Sequence, residues 1–376
     1  MDDLEKVYLE LFKSHLKARK AKRRTKDEHE YELHLFENLM NTATALCEKR
    51  YHPSRGIAFI IRRPVIREIF AAPYVDRVVH HYIFDKVIDY WERQFIYDSY
   101  SCRKNKGTLM GIRRMEHFVR KASHNFTQKT YVFKYDLSGY FMSLPRRELY
   151  RKATAGLKKQ YAGHNITEYR RLKHIWHQVI FDDPTDGVRV RGSAKDWRAL
   201  PAKKSLFKQA PGYGIVIGNL TSQLLSNIFL NDFDHYMKEW LHFRYYGRYV
   251  DDFYVLVDET ERVTTLEYEN HIKNYLARQG VKMNRQKTYR QEISKGTAFL
   301  GVVIYPRRTV AGQRLRQNFA MATESFCRGI GSADTMFSYA GFLSHHDCHN
   351  LTNAMFDKAS FFCDCLPVAH HNDAWH

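Results

Sequence analysis

The stretch Arg248–Val257, RYVDDFYVLV, places two adjacent carboxylates inside an apolar, strand-forming run. Strand interiors disfavour aspartate, and an unpaired carboxylate is costly to bury. The pattern therefore predicts two short strands around a tight turn, with Asp251 and Asp252 at the turn. An ordinary hairpin turn is the plain alternative, because aspartate is common in turns. If the strands aim both side chains at one point, a bound cation would offset their desolvation.

A third carboxylate ends another predicted strand. The segment Tyr131–Leu137, YVFKYDL, alternates as a strand does, and this alternation places Lys134 and Asp136 on the same face. Mg²⁺ takes oxygen ligands, and two ions held by carboxylates stabilise both the attacking and the leaving oxygen of a phosphoryl displacement. We therefore predict Asp136 and Asp251 as metal ligands, with Asp252 as a nearby acid or additional ligand.

The charge balance favours a polyanionic partner. The 376 residues include 60 Lys and Arg against 41 Asp and Glu, a formal net charge of +19. Such an excess indicates nucleic acid more often than a membrane surface, and no basic amphipathic helix with a clean apolar face stands out. The chain carries no apolar run of membrane-spanning length, and its six cysteines are scattered. Because its first residues are charged, we expect no signal peptide. We expect a cytoplasmic protein with free thiols.

Helical and strand patterns alternate along the chain. A basic run at Lys17–Arg24 is either a solvated helix end or a phosphate contact. Residues 183–213, rich in Gly, Pro and basic side chains, predict a loop or insertion. Helices are predicted over residues 76–91, 219–240 and 262–279 and in the last seventy residues; strands are predicted at Ile57–Ile61, Lys282–Asn284 and Phe299–Tyr305.

Several motifs, in family order over roughly residues 50–355, resemble those of reverse transcriptases. Tyr249–Asp252 resembles the YxDD box, and Phe133–Phe141 resembles the first catalytic motif, in which an aromatic residue follows the aspartate by five positions. Further resemblances are to the fingers motif at Ser99–Thr108, the NxxKT-like motif at Asn284–Thr288, the primer-grip hairpin at Phe299–Gly301 and the thumb at Ser338–Leu343.

The resemblance implies an α+β right-hand polymerase architecture. Its parts would be N-terminal helices and fingers over 1–125, a palm with an antiparallel sheet over 126–305, and a helical thumb with the C-terminal tail over 306–376. The implied reaction is attack of a primer 3′-hydroxyl on the α-phosphate of a dNTP, with two Mg²⁺ ions for which Mn²⁺ can substitute. Template RNA and an RNA–DNA duplex are the implied partners.

The same resemblance implies roles for single residues. The carbonyl of Leu137 would touch a metal, and Lys287 would protonate the pyrophosphate or act as a positioning charge. Phe141 would exclude a 2′-hydroxyl, with core packing as the alternative. Three basic residues would bind the triphosphate, with solvation or duplex contact as the alternative, namely Arg67, Arg103 and Lys106.

One motif is similar to that of diversity-generating retroelement enzymes. In Gly214–Gln223, Ile217 stands where related enzymes carry Gln, Gly218 follows it, and Gln223 stands where they carry Pro. The resemblance implies copying of a template-repeat RNA with errors opposite adenine, and a small basic accessory protein that forms an oligomer. Because Ile can only pack where Gln could hydrogen-bond, we expect Ile217 to lower discrimination between right and wrong pairs.

Other interpretations remain open at this point. The chain could be another bacterial reverse transcriptase, of the retron or phage-defence type, or a nucleic-acid-binding relative without catalysis. The basic stretch Arg189–Lys208 looks longer than the corresponding link in the family and has no assigned role. A zinc site is an alternative for the C-terminal cluster, whose spacing lacks paired C-x₂-C units, formed by His345, His346, Cys348, His349, Cys363, Cys365, His370 and His371.

Overall fold

Helices and strands alternate along the chain in the computed structural model, which describes residues 2–20, 25–62 and 65–365, without the side chains of 361–365. The helices are α1 (Asp3–Ala18), α2 (Lys26–Leu33), α3 (Leu35–Cys47), α4 (Tyr74–Gln94), α5 (Thr108–Ala122), α6 (Tyr140–Ser143), α7 (Arg146–Tyr161), α8 (Ile166–Phe181), α9 (Ala194–Ala199), α10 (Leu220–His235), α11 (Arg262–Arg278), α12 (Gln313–Cys327), α13 (Ala333–Leu343) and α14 (His349–Cys365). The strands are β1 (Ile57–Ile61), β2 (Arg67–Ala71), β3 (Thr130–Asp136), β4 (Arg189–Val190), β5 (Tyr245–Tyr249), β6 (Asp252–Asp258), β7 (Tyr289–Glu292), β8 (Thr297–Phe299), β9 (Val302–Ile304) and β10 (Thr309–Ala311).

The predicted hairpin and the predicted Asp136 strand lie in one sheet. Its four strands run in the order β5-β6-β3-β7, so β6 and β3 are neighbours. The Leu137 N–H donates to the Asp251 carbonyl oxygen at 3.1 Å, which places the end of β3 beside the start of β6. The two strands are therefore antiparallel, and the carboxylates at their ends meet. The architecture confirms the predicted α+β fold with helices and antiparallel sheets.

The chain forms two compact units, of which the first comprises Met1–Gly107, Lys134–Tyr254 and Thr264–Tyr289. Within it α10 is buried along most of its length and packs against α4 and α7. Asn219 takes the N-cap position of this helix, but its side chain makes no capping hydrogen bond. A π-helical turn, Tyr236–Trp240, follows α10, so the helical segment ends where the helix predicted over residues 219–240 was expected to end.

Residues 183–213 contain more regular structure than a loop. The short strand β4 pairs parallel with β1, and α9 begins with a capping box formed by Ser193 and Asp196. The sequence could not show β4, since a two-residue strand has no periodicity. The β1 strand also pairs antiparallel with β2, completing a small sheet of order β2-β1-β4.

Two predicted strands need correction. Lys282–Asn284 forms only an isolated bridge, Leu137 to Met283, and the strand of this region is β7. Phe299–Tyr305 is not one strand, because Leu300 and Gly301 turn the chain between β8 and β9 with φ of 50° and 93°. This turn matches the hairpin that the family resemblance implies at Phe299–Gly301.

The second unit comprises Thr108–Phe133, Val255–Val263 and Arg290–His376, described to residue 365. Its helices α12, α13 and α14 pack on one another, as the helical pattern of the last seventy residues predicts. Of the basic run Lys17–Arg24, residues 21–24 lie outside the described residues, and Lys17 forms an ion pair with Asp85 at 2.7 Å. Among the residues that the structure describes, no helix is both long and apolar enough to span a membrane.

Candidate active site

The turn between β5 and β6 is strained at its tip. Val250 has φ of 56°, a left-handed conformation that β-branched residues rarely adopt. The Arg248 guanidinium donates to the Val250 carbonyl oxygen at 2.9 Å and so helps to hold this turn. Backbone strain of this kind persists where the surroundings determine the conformation, and it is common at functional sites.

A buried ion pair between Arg248 and Asp234 supports this turn. The side chains of Arg248 and Asp234 are both fully buried and joined by two hydrogen bonds of 2.7 Å. Burial opposes the charge on Arg248, but Asp234 outweighs it, so that the pKa of Arg248 is raised. Sequence reasoning missed this pair because an arginine at a strand end looks like a surface charge.

Asp136 is buried and held by the segment that follows α11. Its Oδ1 accepts from Asn284 Nδ2 at 3.0 Å, and its Oδ2 lies 2.7 Å from Lys287 Nζ. The backbone of the same residues is also joined, since the Asn284 N–H donates to the Asp136 carbonyl oxygen at 2.7 Å. The NxxKT-like motif therefore reaches the first predicted metal ligand directly.

Asp252 has a lysine of its own. Lys134 Nζ lies 2.7 Å from Asp252 Oδ1 and 2.8 Å from Oδ2, although only Oδ2 accepts a hydrogen bond. Burial raises the pKa of Asp252, and Lys134 acts against that rise. The role of Asp252 as a nearby acid or additional ligand stays a prediction, and its partner Lys134 was not predicted as a site residue.

Asp251 differs from its two neighbours, because among the described residues no cation is ion-paired with its carboxylate. The side chain is half-buried. Burial, followed by repulsion from Asp136, raises the pKa of Asp251 to about 6. A carboxylate in this position is stabilised by any cation that approaches it.

The three carboxylates fit a divalent ion, on the condition that the ion displaces Lys287 from Asp136. In the part of the chain that the structure describes, no group of three or more His, Cys, Asp or Glu side chains is already arranged for a metal. Asp136 and Asp252 are each paired with a lysine, whereas Asp251 has no ion-pair partner among the described residues. A metal at Asp251 would compete with Lys287 for Asp136, and the exposure of the Lys287 side chain, 64%, makes that exchange easy.

The predicted triphosphate ligands have varied surroundings. Arg103 is nearly buried, pairs with Glu92 at 2.8 Å and donates to two backbone carbonyl oxygens. Lys106 donates to the Tyr97 carbonyl oxygen at 3.0 Å and lies over the ring of the same residue. Arg67 is exposed on β2. These contacts give Arg103 a structural role. They do not test its contact with a nucleotide, which stays a prediction.

The loop before α10 is hydrogen-bonded to Phe141, the residue predicted to exclude a 2′-hydroxyl. Phe141 is half-buried, and its carbonyl oxygen accepts from the Ile215 N–H at 2.9 Å. Ile217 packs against a small apolar core, and its carbonyl oxygen accepts from the Phe70 N–H at 3.1 Å. Gly218 has φ of 125°, and a Cβ there would lie 3.0 Å from the Phe70 carbonyl oxygen. Gln223 is exposed on the first turn of α10.

The zinc alternative gains no support from the described residues. Both ring nitrogens of His346 are buried without a hydrogen-bond partner, and the ring lies against Phe342. The Cys348 sulfur accepts from the Ala311 N–H at 3.1 Å inside an apolar core. The side chains of Cys363 and Cys365, and all of His370 and His371, lie outside the described residues.

Comparison with known proteins gives a family and a fold. Residues 66–304 match the family described as reverse transcriptase (RNA-dependent DNA polymerase). No curated protein matches the sequence. Among solved structures, telomerase from Candida albicans in complex with a fragment of telomeric RNA is similar with a TM-score of 0.51 and 13% identity, over 84% of this chain and 56% of that one.

Two structures of telomerase from Candida tropicalis are also similar. The apo enzyme has a TM-score of 0.46 and 12% identity, covering 83% of this chain and 58% of that one. The form without its C-terminal domain has a TM-score of 0.49 and 15% identity, covering 69% and 55%. This chain thus spans little more than half of each telomerase chain. At such identities the similarity shows the fold alone. Of these three structures, the Candida albicans telomerase has a TM-score above 0.5, and the fold comparison rests on it.

Proposed function

Because this chain belongs to the reverse transcriptase (RNA-dependent DNA polymerase) family, we propose that it polymerises DNA on an RNA template. The observation that carries the proposal is the junction of β3 and β6, where Asp136, Asp251 and Asp252 meet. This junction lies inside the matched residues 66–304. The reaction would join a primer 3′-hydroxyl to the α-phosphate of a dNTP and release pyrophosphate.

The carboxylates would hold the metal ions, with Mg²⁺ as the expected ion and Mn²⁺ as a substitute. Asp136 and Asp251 would be the ligands, joined by the Leu137 carbonyl oxygen, and Asp252 would stay with Lys134 as a neighbouring charge. Two bound ions supply charge neutralisation of the attacking and leaving oxygens. The strained Val250 turn and the Arg248–Asp234 pair fix where Asp251 lies, which is the positioning that phosphoryl transfer depends on.

Lys287 would act on the leaving group. Its ammonium contacts Asp136 but is largely exposed, so it can move from the carboxylate to a pyrophosphate oxygen. There it would donate a proton or neutralise charge. Phe141, half-buried beside the Gly214–Gln223 loop, would exclude a ribose 2′-hydroxyl. Arg67 is exposed and Lys106 is held by Tyr97; both remain proposed triphosphate contacts.

The proposed biological role is mutagenic copying of a template-repeat RNA, with a small basic accessory protein as partner. It rests on Ile217, whose apolar side chain packs against the core of Ala58, Phe70, Met142 and Leu206 and offers no hydrogen bond to a base pair. Ile217→Gln should lower the error frequency at template adenines by several-fold, since a polar check is restored. Ile217→Leu is the matched control and should leave errors unchanged.

Primer extension tests the activity. Purified protein with Mg²⁺ and a primed RNA template should give cDNA, and Asp251→Asn should give none. Asp258→Asn, at the opposite end of β6, removes the same charge and should keep activity. Folded protein that binds the primed RNA without extending it, with and without accessory protein, would favour a catalytically silent relative. Extension without excess errors at adenines would favour a retron or phage-defence type.

A further inference from the structure

The segment Asp183–Tyr213, called here the basic segment, has unpaired positive charge on its surface. It contains three acidic residues, and each is occupied: Asp186 pairs with Arg55, Asp196 with Arg62, and Asp183 accepts from Thr185. Both arginines come from outside the segment. Six of its basic side chains are exposed, and none of these forms an ion pair with a described residue, namely Arg189, Arg191, Lys195, Arg198, Lys203 and Lys208.

The basic segment is anchored firmly at several points. The buried carboxylate of Glu68 accepts from the Ser205 hydroxyl at 2.7 Å and from the Leu206 N–H at 2.6 Å. The Arg191 N–H donates to the Ala58 carbonyl oxygen at 2.8 Å, which fixes β4 on β1. Because these contacts order the backbone, binding of a partner would not have to order it again.

Exposed aromatic rings lie among these cations. Phe207 is 41% exposed and packs edge-on or tilted against Trp197 and Phe70, with ring centroids 5.6 Å apart in each case. Tyr213 is 45% exposed at the end of the segment. Cations that reach phosphates and rings that stack on bases together suit a single-stranded nucleic acid. An acidic protein would use the charges but has no planar bases for the rings.

The basic segment also adjoins the catalytic motif. A Cβ on Gly139 would lie 2.8 Å from the Lys203 carbonyl oxygen, so the segment crosses the chain three residues after Asp136. Tyr213 forms a bridge with Pro145, and the Gly214 N–H donates to the Leu144 carbonyl oxygen. Both contacts lie within four residues of Phe141. A nucleic acid on this surface would therefore lie near the proposed copying site.

We propose that the basic segment binds the single-stranded part of the RNA template next to the copying site. The exposed cations contact phosphates, and Tyr213 and Phe207 stack on unpaired bases. This inference rests on the proposed function for the identity of the nucleic acid as template RNA. It gives a role to the stretch Arg189–Lys208, which the family resemblance left unassigned.

The test uses the quadruple variant Arg191→Gln, Lys195→Gln, Arg198→Gln and Lys203→Gln. Binding of a primed RNA with a long single-stranded 5′ overhang would be measured by fluorescence anisotropy over a salt series, without metal. We expect the Kd to rise at least tenfold at about 100 mM salt, and the slope of log K against log salt to fall by about 3, since each lost single-strand contact removes about 0.7. Binding of a blunt primed duplex should change little.

A second quadruple variant controls for net charge. Lys13, Arg147, Lys158 and Lys159 are exposed basic residues of α1 and α7, and their change to Gln removes the same charge outside the segment. This control should keep the overhang affinity. Tyr213→Ala, which leaves every charge in place, should weaken overhang binding several-fold by removing one stacking platform.

The outcomes separate this inference from the proposed function. Equal losses in the two quadruple variants, or equal losses on overhang and blunt RNA, would overturn the inference, because net charge alone would then explain binding. Overhang binding that is unchanged in the segment variant would also overturn it and would favour a protein partner. If the wild type binds overhang RNA through the segment yet never extends a primer, the proposed function fails; the segment is then a site for single-stranded RNA, but not for a template.

Discussion

The site of Asp136, Asp251 and Asp252, called here the catalytic turn after its proposed role, differs from the basic segment in how its charges are paired. At the turn, Asp136 and Asp252 each have a lysine, and only Asp251 lacks one. In the basic segment Asp186 and Asp196 are paired with Arg55 and Arg62, and six cations are left exposed. The net charge of +19 cannot reveal this difference. Pairing within the chain suits a site that positions ions, whereas unpaired exposed cations suit a salt-sensitive contact with a polyanion.

Burial also separates the two lysines of the catalytic turn. The Lys134 side chain is 12% exposed and that of Lys287 is 64% exposed, although each lies 2.7 Å from an aspartate oxygen. An ion pair in solvent contributes little, whereas a buried charge that loses its partner is strongly destabilised. The two lysines are therefore expected to differ in what they do for the protein.

The largest expected effect is on polymerisation. Asp136→Asn and Asp251→Asn should each lower primer extension by at least about 10³-fold, roughly 4 kcal/mol of transition-state stabilisation, because both predicted metal ligands are required. Steady-state extension on a primed RNA template measures this loss. Asp258→Asn, at the far end of β6, serves as the matched control. Retained activity in Asp251→Asn would remove that residue from the metal site.

The same two variants should differ in their free energy of unfolding. In metal-free buffer at pH 7, Asp251→Asn should stabilise the fold by about 1–2 kcal/mol. The change removes the desolvated charge of Asp251, which Asp136 repels, and the pKa of Asp251 is raised to about 6. Asp136→Asn should change stability little, because Lys287 is exposed. Urea denaturation measures both. A less stable Asp251→Asn protein would show that its carboxylate has a structural partner.

The carboxylates could be located from the sequence because alternation marks β3 and the apolar run marks β6. Once those strands are neighbours, Asp136 and Asp251 must meet. Their partners could not be located this way. Lys287 follows a predicted strand that does not form, and Asn284 reaches Asp136 through a loop geometry that leaves no periodic signal.

The basic segment shows the same limit. Its composition indicates a positively charged region but not β4 or α9, and nothing in the sequence identifies Glu68 as its anchor. Glu68 lies in β2 beside Arg67 and opposite Ile60, where a glutamate on a short strand is ordinarily exposed. Contacts between residues more than a hundred positions apart depend on the tertiary fold, which local patterns do not encode.

A comparison of Lys134→Met with Lys287→Met would sharpen the contrast within the catalytic turn. Lys134→Met should destabilise the metal-free protein by about 2 kcal/mol, because it leaves Asp252 unpaired in a partly buried position. Lys287→Met should cost less than about 1 kcal/mol of stability but lower extension by about 10²-fold, as expected for a group acting on pyrophosphate. Urea denaturation and single-turnover extension separate the two effects. Equal stability losses would contradict the argument from burial.

The anchor of the basic segment can be removed without touching its cations. Glu68→Ala leaves the Ser205 hydroxyl and the Leu206 N–H buried without their acceptor, so we expect a loss of about 1–2 kcal/mol and faster proteolysis within residues 183–213. Overhang RNA affinity should fall as well, because the cations lose their fixed arrangement. Glu37→Ala, an exposed change of the same charge, is the control. Unchanged RNA affinity would mean that the segment needs no anchor to bind.

The smallest expected effect is a pH dependence at that anchor. Burial raises the pKa of Glu68 above its ordinary value of 4.5, while Ser205, Leu206 and Lys208 act against the rise. The folded state therefore holds the proton more tightly than the unfolded state, and this group's contribution to stability falls as the pH rises from 4.5 through the folded-state pKa. Glu68→Gln keeps an acceptor oxygen but does not titrate. The stability of wild type relative to Glu68→Gln, measured by urea denaturation from pH 4.5 to 7.5, should decline with pH and then level off. Because other groups titrate alike in both proteins, a constant or rising difference would show that Glu68 keeps its charge without cost, and the anchor would then resemble the paired carboxylates of the catalytic turn.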